Sequence, residues 1–430
     1  MSKTFRPYLP EQTLLLPPAL EDWLPENHLA RFISDVVDSL DLSEIEGTYT
    51  EERGFPPYHP AMMLKVLLYG YCTGTYSSRR LANLVMDSVA CRYLAADNAP
   101  DFRTLNEFRR RHGKALKALF VEVLQLCRKA GLVKLGRVAV DGTKVKANAS
   151  KHKAMSYDRM KEKEVDLERE VRHLLDEADR IDEEEDRKYG KDRRGDELPD
   201  ELGRRESRLK KIREAKAALE AEAQEKAKAK GKSAEGVEPE PKAQRNFTDP
   251  ESKIMKTGDG FIQGYNAQIA VDDTSQIIVA QHVTTKANDV NQLQTIVENI
   301  EETLSELPLV LLADAGYYSE ANDNYLWSEG IDGYIAAGRQ SHSPDSTESP
   351  TGRIPSRLTL RERMKRKLRT AKGKSHYARR KAIVEPVFGL IKQARGFRQF
   401  LRRGHERIGE EWTLICLAHN LLKLHGAQAV

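Results

Sequence analysis

PLVLLADAGYY, residues 308–318, is a continuous apolar run that ends on an acid. Such a run, opened by a proline and closed by Asp314, reads as a strand buried on both faces. Ligand-binding residues of mixed sheets collect at the C-terminal ends of strands of this kind. A second acid lies upstream in RVAVDGTKVKANAS, residues 137–150. Val138, Val140 and the alternation after them make a strand, and Asp141-Gly142 is either part of it or a turn that ends it. A third lies downstream in YARRKAIVEPVFGLIK, residues 377–392, a helical run whose one acid, Glu385, stands among Tyr377, Arg379, Arg380, Lys381 and Lys392. At about 100° per residue, Lys381 and Lys392 share the face of Glu385, and Pro386 is able to kink the run. An acid on a cationic face is either an ion-paired surface or a metal ligand beside a phosphate track.

The segments between these stretches supply the element order. GYNAQIAVDD and QIIVAQHVTT read as strands joined by a turn at Asp272–Ser275. Asn288–Leu304 reads as a helix with Asn288 as its N-cap. A helix at 319–329, a short strand DGYIAAG (332–338) and a final apolar helix, Trp412–Leu424, complete the order. If the first and fourth strands are neighbours, Asp141 and Asp314 come together and Glu385 arrives from a helix packed on the sheet. That is a ribonuclease-H-like α/β arrangement. Three converging carboxylates repel one another unless cations neutralise them, and hard oxygen donors favour Mg²⁺ or Mn²⁺ over zinc. Two such ions roughly 3.5–4 Å apart can drive an in-line phosphodiester displacement. Asp272 and Asp273 fit the turn, Asp289 the first turn of a helix, and Asp332 another turn. Glu410 and Glu411 lie in the final helix region and Asp249 in a linker, so these acids are set aside.

A chain of 430 residues suggests two or three domains. We divide it into an arm and first helix (1–40), an all-α part (41–131), a discontinuous catalytic domain (136–150 with 255–430) and an insertion (151–254). The all-α part reads as helices at 60–72, 77–95 and 104–131, with Thr104 and Glu107 as a capping box. Its arginines Arg79, Arg80, Arg103 and Arg109–Arg111 suit a helix-turn-helix-like DNA-binding module, though a generic helical bundle fits equally well. In the insertion, Met160, Leu167, Val171, Leu174, Ala178 and Ile181 recur at helical spacing, as do Leu202, Leu209, Ile212, Leu219 and Ala223. A breaker-rich turn separates the two sets, so the pattern predicts a coiled-coil hairpin followed by a flexible linker, AKAKGKSAEGVEPEPKAQ.

Net charge is only +4 with 32% charged residues, so the distribution says more than the sum. Basic clusters at Arg103–Lys117 and Arg353–Lys381 are either solvated helix faces or a nucleic-acid footprint. Cys72, Cys91, Cys127 and Cys416 have no zinc spacing and read as buried thiols of a reducing compartment. No apolar run reaches the ~18–20 residues of a membrane span, which predicts a soluble cytoplasmic protein. Gly231-Lys232-Ser233 and Gly373-Lys374-Ser375 end like phosphate-binding loops. Each lacks the first glycine, with Lys226 and Leu368 in its place, so no nucleotide cofactor is expected.

Taken together in order, RPYLPEQTLLLPP, YHPAMMLKVLLYGYCTGTYSSRRL, PDFRTLNEFRRRH, VDGTKVKANAS, DGFIQGYNAQ, ADAGYYS and YARRKAIVEPVFGLIK resemble the DDE-type transposases of bacterial insertion sequences. The resemblance is to the insertion-sequence-4 and -5 superfamily, 1182-like branch, and runs over nearly the whole chain. It implies Asp141, Asp314 and Glu385 as catalytic acids binding two Mg²⁺ (or Mn²⁺) ions. It also implies double-stranded DNA, both element ends and target, as the partner, a homodimer in the synaptic complex, and a bacterial, nucleoid-associated location. Tyr377, Arg380, Lys381 and Lys392 would hold terminal phosphates, and Arg79, Arg80, Arg109, Arg110 and Arg111 would serve the N-terminal module. The family signature separates Tyr, Arg, Glu and Lys by two, three and six residues. Lys392 meets the last spacing, but the arginine position falls on Lys381 and the tyrosine position on Ala378, leaving Arg380 and Tyr377 one residue further back. Other readings are a DNA-binding protein without catalysis and a plain metal-dependent nuclease of the same fold.

Overall fold

The computed structural model describes residues 19–50, 56–150, 153–189, 200–229, 231–233, 236–258, 260–338, 349–352, 354–355 and 357–428. The arm before residue 19, the turn between 190 and 199 and most of the polar loop at 341–355 lie outside the described residues. The chain opens with α1 (Leu29–Ser39), α2 (Ser43–Glu46), α3 (Pro60–Cys72), α4 (Ser78–Asp87), α5 (Val89–Leu94), α6 (Phe102–Arg111) and α7 (Ala115–Lys129). Two runs that periodicity joins are broken. Extended backbone at Ser88 parts α4 from α5, and the chain between Arg111 and Ala115 parts α6 from α7. The cap of α6 is Asp101, whose carboxylate accepts the N–H groups of Arg103 and Thr104, in place of the box expected at Thr104. The predicted core positions Leu105, Phe108, Leu116, Phe120 and Leu124 are all buried.

A mixed sheet follows. In chain order come β1 (Arg137–Lys146), β2 (Ala154–Ser156), α8 (Tyr157–Tyr189), α9 (Asp200–Ala229), β3 (Gln244–Asn246), β4 (Lys253–Thr257), β5 (Gly260–Asp272), β6 (Ile278–Thr284), α10 (Leu293–Leu304), β7 (Val310–Ala313), α11 (Glu320–Ser328), β8 (Asp332–Ile335), α12 (Leu360–Arg369), α13 (Ala371–Gly389) and α14 (His405–Gln428). The main sheet runs β4-β5-β1-β7-β8, with β6 also on β5. β5 is antiparallel to β1, β4 and β6, whereas β1, β7 and β8 are mutually parallel. The Asp141-Gly142 pair is no turn. β1 passes through it to Lys146 because β5 continues opposite, pairing Ile269 and Gln268 with these two residues. Residues of α1, α3 and α7, of the sheet and of α14 share one hydrophobic core.

The insertion has its own small core: Tyr157, Met160 and Leu167 from α8, and Leu209, Ile212, Ala215 and Leu219 from α9. The helices run antiparallel, since Glu164 pairs with Arg213 and Lys216 while Glu170 pairs with Arg205. Val171, Leu174 and Ala223 are only partly buried. The side chains of Ala178, Ile181 and Leu202 lie outside the described residues. Pairing of β2 with β3 closes the base.

α13 continues through Pro386. A proline leaves the carbonyl four residues earlier without its donor. Here the Gln276 side-chain amide donates to that carbonyl, of Ala382, at 3.0 Å. The irregularity comes later, as a π-helical turn at Leu390–Ala394.

Arg109, expected at a DNA-facing surface, is instead interior, with 5% of its surface exposed. Its guanidinium donates to Tyr71 Oη (2.9 Å), the Tyr76 carbonyl (3.2 Å) and Asn106 Oδ1 (3.0 Å), in the field of the fully buried Glu411. It lies in the core face of α6 because α4 and the 71–78 segment pack over it. Arg109→Ala should therefore lower unfolding free energy by about 3 kcal/mol, as removal of one member of a buried charge network does. Urea melts would read this. Unchanged stability with lost DNA binding would restore the surface role.

Candidate carboxylate site and basic cleft

The parallel register sets the site. Val140 is level with Ala313, so Asp141 and Asp314 leave neighbouring strands side by side. β1 continues past this point, whereas β7 ends at Ala313, and the chain turns away through a short helical turn at Ala315–Tyr317. Asp314 caps that turn, accepting the Gly316 N–H at 2.8 Å. Asp141 accepts the Gly142 N–H at 2.8 Å. Burial, with Asp314 beside it, pushes the Asp141 carboxyl up to about 6 even though Arg380 pulls the other way.

α13 lies across β1 and brings two cations to it. Arg380 is buried and donates to Asp141 Oδ2 at 3.0 Å. Half-buried Tyr377, one turn earlier, has its ring 6.0 Å from that guanidinium. Lys392, in the π-helical turn, donates to Thr143 Oγ1 at 2.5 Å and to the Lys144 carbonyl at 3.1 Å. Lys381 is exposed. Of the upstream candidates, Arg380 and Tyr377 pack toward the sheet and Lys381 is exposed. Glu385 falls between the Arg380 and Lys392 contacts along the helix and is exposed. Among the described residues, no group of three His, Cys, Asp or Glu could hold a metal ion.

A cleft of about 650 Å³ reaches Gly142, the residue after Asp141. Lys144, Lys146, Lys256, Lys392 and Arg398 line it, and among the described residues no carboxylate does. Lys144 and Lys146 come from one side of β1 by strand alternation. That Lys-x-Lys spacing was visible in the sequence and was passed over. Of the N-terminal arginines, Arg79, Arg103, Arg109 and Arg111 line one cleft of about 1050 Å³. Arg79 is exposed and lies over the Phe102 ring, and Arg80 is exposed. Arg110 pairs with Glu107 on its own helix, and Arg111 donates to the Thr48 carbonyl and covers the Tyr49 ring.

Of the acids set aside, Asp272 is indeed a turn acid and accepts the Leu135 and Thr274 N–H groups at 2.9 Å. Asp249 is buried, held by Tyr265 Oη at 2.9 Å and the Gly404 N–H at 3.2 Å, at the start of α14. Asp289 does open a helical segment, as the N-cap of a 3-10 turn at Val290–Gln292 that leads into the next helix, but its side chain does not cap that turn. α10 starts only at Leu293, and the Asp289 carboxylate turns back toward β1 and β5, where Asn266 Nδ2 (2.6 Å) and Gln268 Nε2 (2.8 Å) donate to it. Lys144 pairs with it at 3.4 Å.

Two family models match this chain. Residues 18–111 match a transposase domain of the DUF772 family, and residues 231–421 match the transposase DDE domain. Comparison with curated proteins and with solved structures found no match. No helix of the described residues is long and apolar enough to cross a membrane. The second match begins in the insertion and takes in β4 to β8, α13 and most of α14, and the first covers α1 to α6. On these two matches, the chain belongs to the DDE-type insertion-sequence transposases.

Proposed function

We propose that the protein binds the terminal inverted repeats of its insertion sequence, cuts DNA there and joins the freed 3′ end to target DNA. Asp141, Asp314 and Glu385 are its catalytic acids on a ribonuclease-H-like domain. The observation that carries the reading is the side-by-side pair Asp141–Asp314, with a basic cleft that reaches Gly142 next to Asp141.

Two adjacent carboxylates, one driven toward its neutral form by burial, are a donor set that suits a hard divalent cation such as Mg²⁺ or Mn²⁺. Asp141 and Asp314 would hold it, with Glu385 completing the set from α13. A bound cation pair supplies charge for activating the attacking oxygen and stabilising the leaving one. The chain's own side chains do the rest. Lys144, Lys146, Lys256, Lys392 and Arg398 take the phosphates along the cleft. Arg380 neutralises Asp141 in the free protein, and it is freed for a phosphate oxygen once the carboxylate has another partner, a use that suits its fork of donors. Tyr377 lies beside it at the same phosphate. Water would attack the phosphodiester at the element end first, breaking its P–O3′ bond and freeing the element's 3′-hydroxyl, and that hydroxyl would attack a target phosphodiester second, with the target's own 3′-oxygen leaving. Arg79, Arg80, Arg110 and Arg111 serve the N-terminal helices in holding the repeat. A homodimer would bring two ends together, with the α8–α9 hairpin as one contact. The exposure of Glu385, with no three-acid group among the described residues, favours a second reading, a DNA-binding protein that does not cut.

Asp314→Asn should abolish Mg²⁺-dependent cleavage of element-end DNA in a gel assay while repeat binding persists. Binding of those ends by the wild type with neither cutting nor joining in Mg²⁺ or Mn²⁺ would leave the second reading standing. In wild type, log Kd against log salt should have a slope of about 4.5 in magnitude if the five cleft cations each meet one phosphate. The double variant Lys256→Ala/Arg398→Ala should flatten it by about 2.

The raised Asp141 carboxyl makes a pH signature. A folded-state value above the unfolded one stabilises the fold at low pH, and that contribution is lost as pH rises through about 6. In EDTA, the stability of Asp141→Asn relative to wild type should rise by up to about 3 kcal/mol between pH 4 and pH 8. A difference that stays flat with pH would show that Asp141 is not a strained acid.

A further inference from the structure

We propose that Asp289 is a positioning residue of the carboxylate site. It ties β1 just after Asp141 to the loop just after Asp314, and so sets the spacing of the two acids. The inference rests on the reading that these two aspartates hold a divalent cation.

Three observations carry it. First, Asp289 is embedded, with 18% of its side chain exposed, and its donors come from two strands: Lys144 from β1, and Asn266 and Gln268 from β5. Second, it fits only because two glycines flank the acids. A Cβ on Gly142 would stand 2.9 Å from Asp289 Oδ1 and 2.2 Å from Gln268 Nε2. A Cβ on Gly316 would stand 3.3 Å from Asp289 Oδ2 and 3.0 Å from Asp314 Oδ1. The carboxylate is therefore seated against the residue after Asp141 and the second residue after Asp314. Third, the Asp289 turn is tied to the Asp314 loop twice more. Tyr317 donates its hydroxyl to Gln268 Oε1, and Gln268 in turn donates to Asp289. Asn322 Nδ2 donates to both the Val290 carbonyl (2.6 Å) and the Tyr317 carbonyl (2.7 Å).

A side chain with this much support but no place in a three-acid group acts through the ligands, by holding them at one separation. Groups that orient metal ligands typically cost 10–100-fold in metal affinity when removed. The charge itself is less important than acceptance of the two amide donors, which asparagine reproduces and alanine does not.

The test is Mn²⁺ titration of the full chain without DNA, followed by calorimetry and by electron paramagnetic resonance, with thermal melts on each variant. Asp289→Ala should weaken Mn²⁺ binding by about tenfold, while Asp289→Asn should stay within about threefold of wild type. Gly142→Ala keeps every polar group but pushes a methyl into Gln268 and Asp289, and should match Asp289→Ala. It keeps the idea testable if the alanine variant melts too early to titrate. If Asp289→Ala and Gly142→Ala both bind Mn²⁺ as wild type does, the positioning role is overturned. If Asp289→Asn loses Mn²⁺ as completely as Asp314→Asn, Asp289 is a ligand and the proposal is wrong. A wild-type chain that takes up no Mn²⁺ removes the metal reading and this one with it.

Discussion

Two like charges on adjacent parallel strands are the constraint on which the rest of the site depends. The β1–β7 register makes Asp141 and Asp314 neighbours, and neighbouring carboxylates away from water resist ionising together. The fold meets this with cations and amides. Arg380 takes one oxygen of Asp141, backbone N–H groups cap each acid, and the polar cluster around Asp289 braces the loops behind them. The site is an electrostatic liability that the surrounding elements contain, as sites prepared for a cationic partner are.

The same constraint explains the shape of α13. Its inward face carries Arg380, Ile383, Val384 and Val387, all buried, so the helix presents one guanidinium among apolar neighbours. Lys381 and Glu385 fall on the outer side. Pro386 would threaten a helix of this length, but the Gln276 amide takes the place of the missing donor. The π-helical turn after it lets Lys392 reach Thr143. The basic residue of this helix that meets Asp141 is Arg380.

Much of this was readable along the chain because it is local or periodic. The run before Asp314, the alternation around Asp141, the helical spacing of Met160, Leu167, Leu209, Ile212 and Leu219, and the burial of the four cysteines all follow from hydrophobic patterning. What escaped depended on contacts far apart in sequence. Arg109 looks like its neighbours Arg110 and Arg111, and only packing against Tyr71 and Tyr76 makes it interior. Asp289 does open a helical turn, and only amides more than twenty residues away draw its carboxylate off that turn to β5.

By itself the sequence determined the element order, the acids that end or interrupt buried strands, and the family, because these depend on residue type and local period. Tertiary structure alone decided which basic residue meets Asp141, that the Asp289 carboxylate turns to amides of β5, and that Glu385 is exposed. Those outcomes depend on strand register and helix rotation, and a shift of one residue changes which side chain faces the sheet.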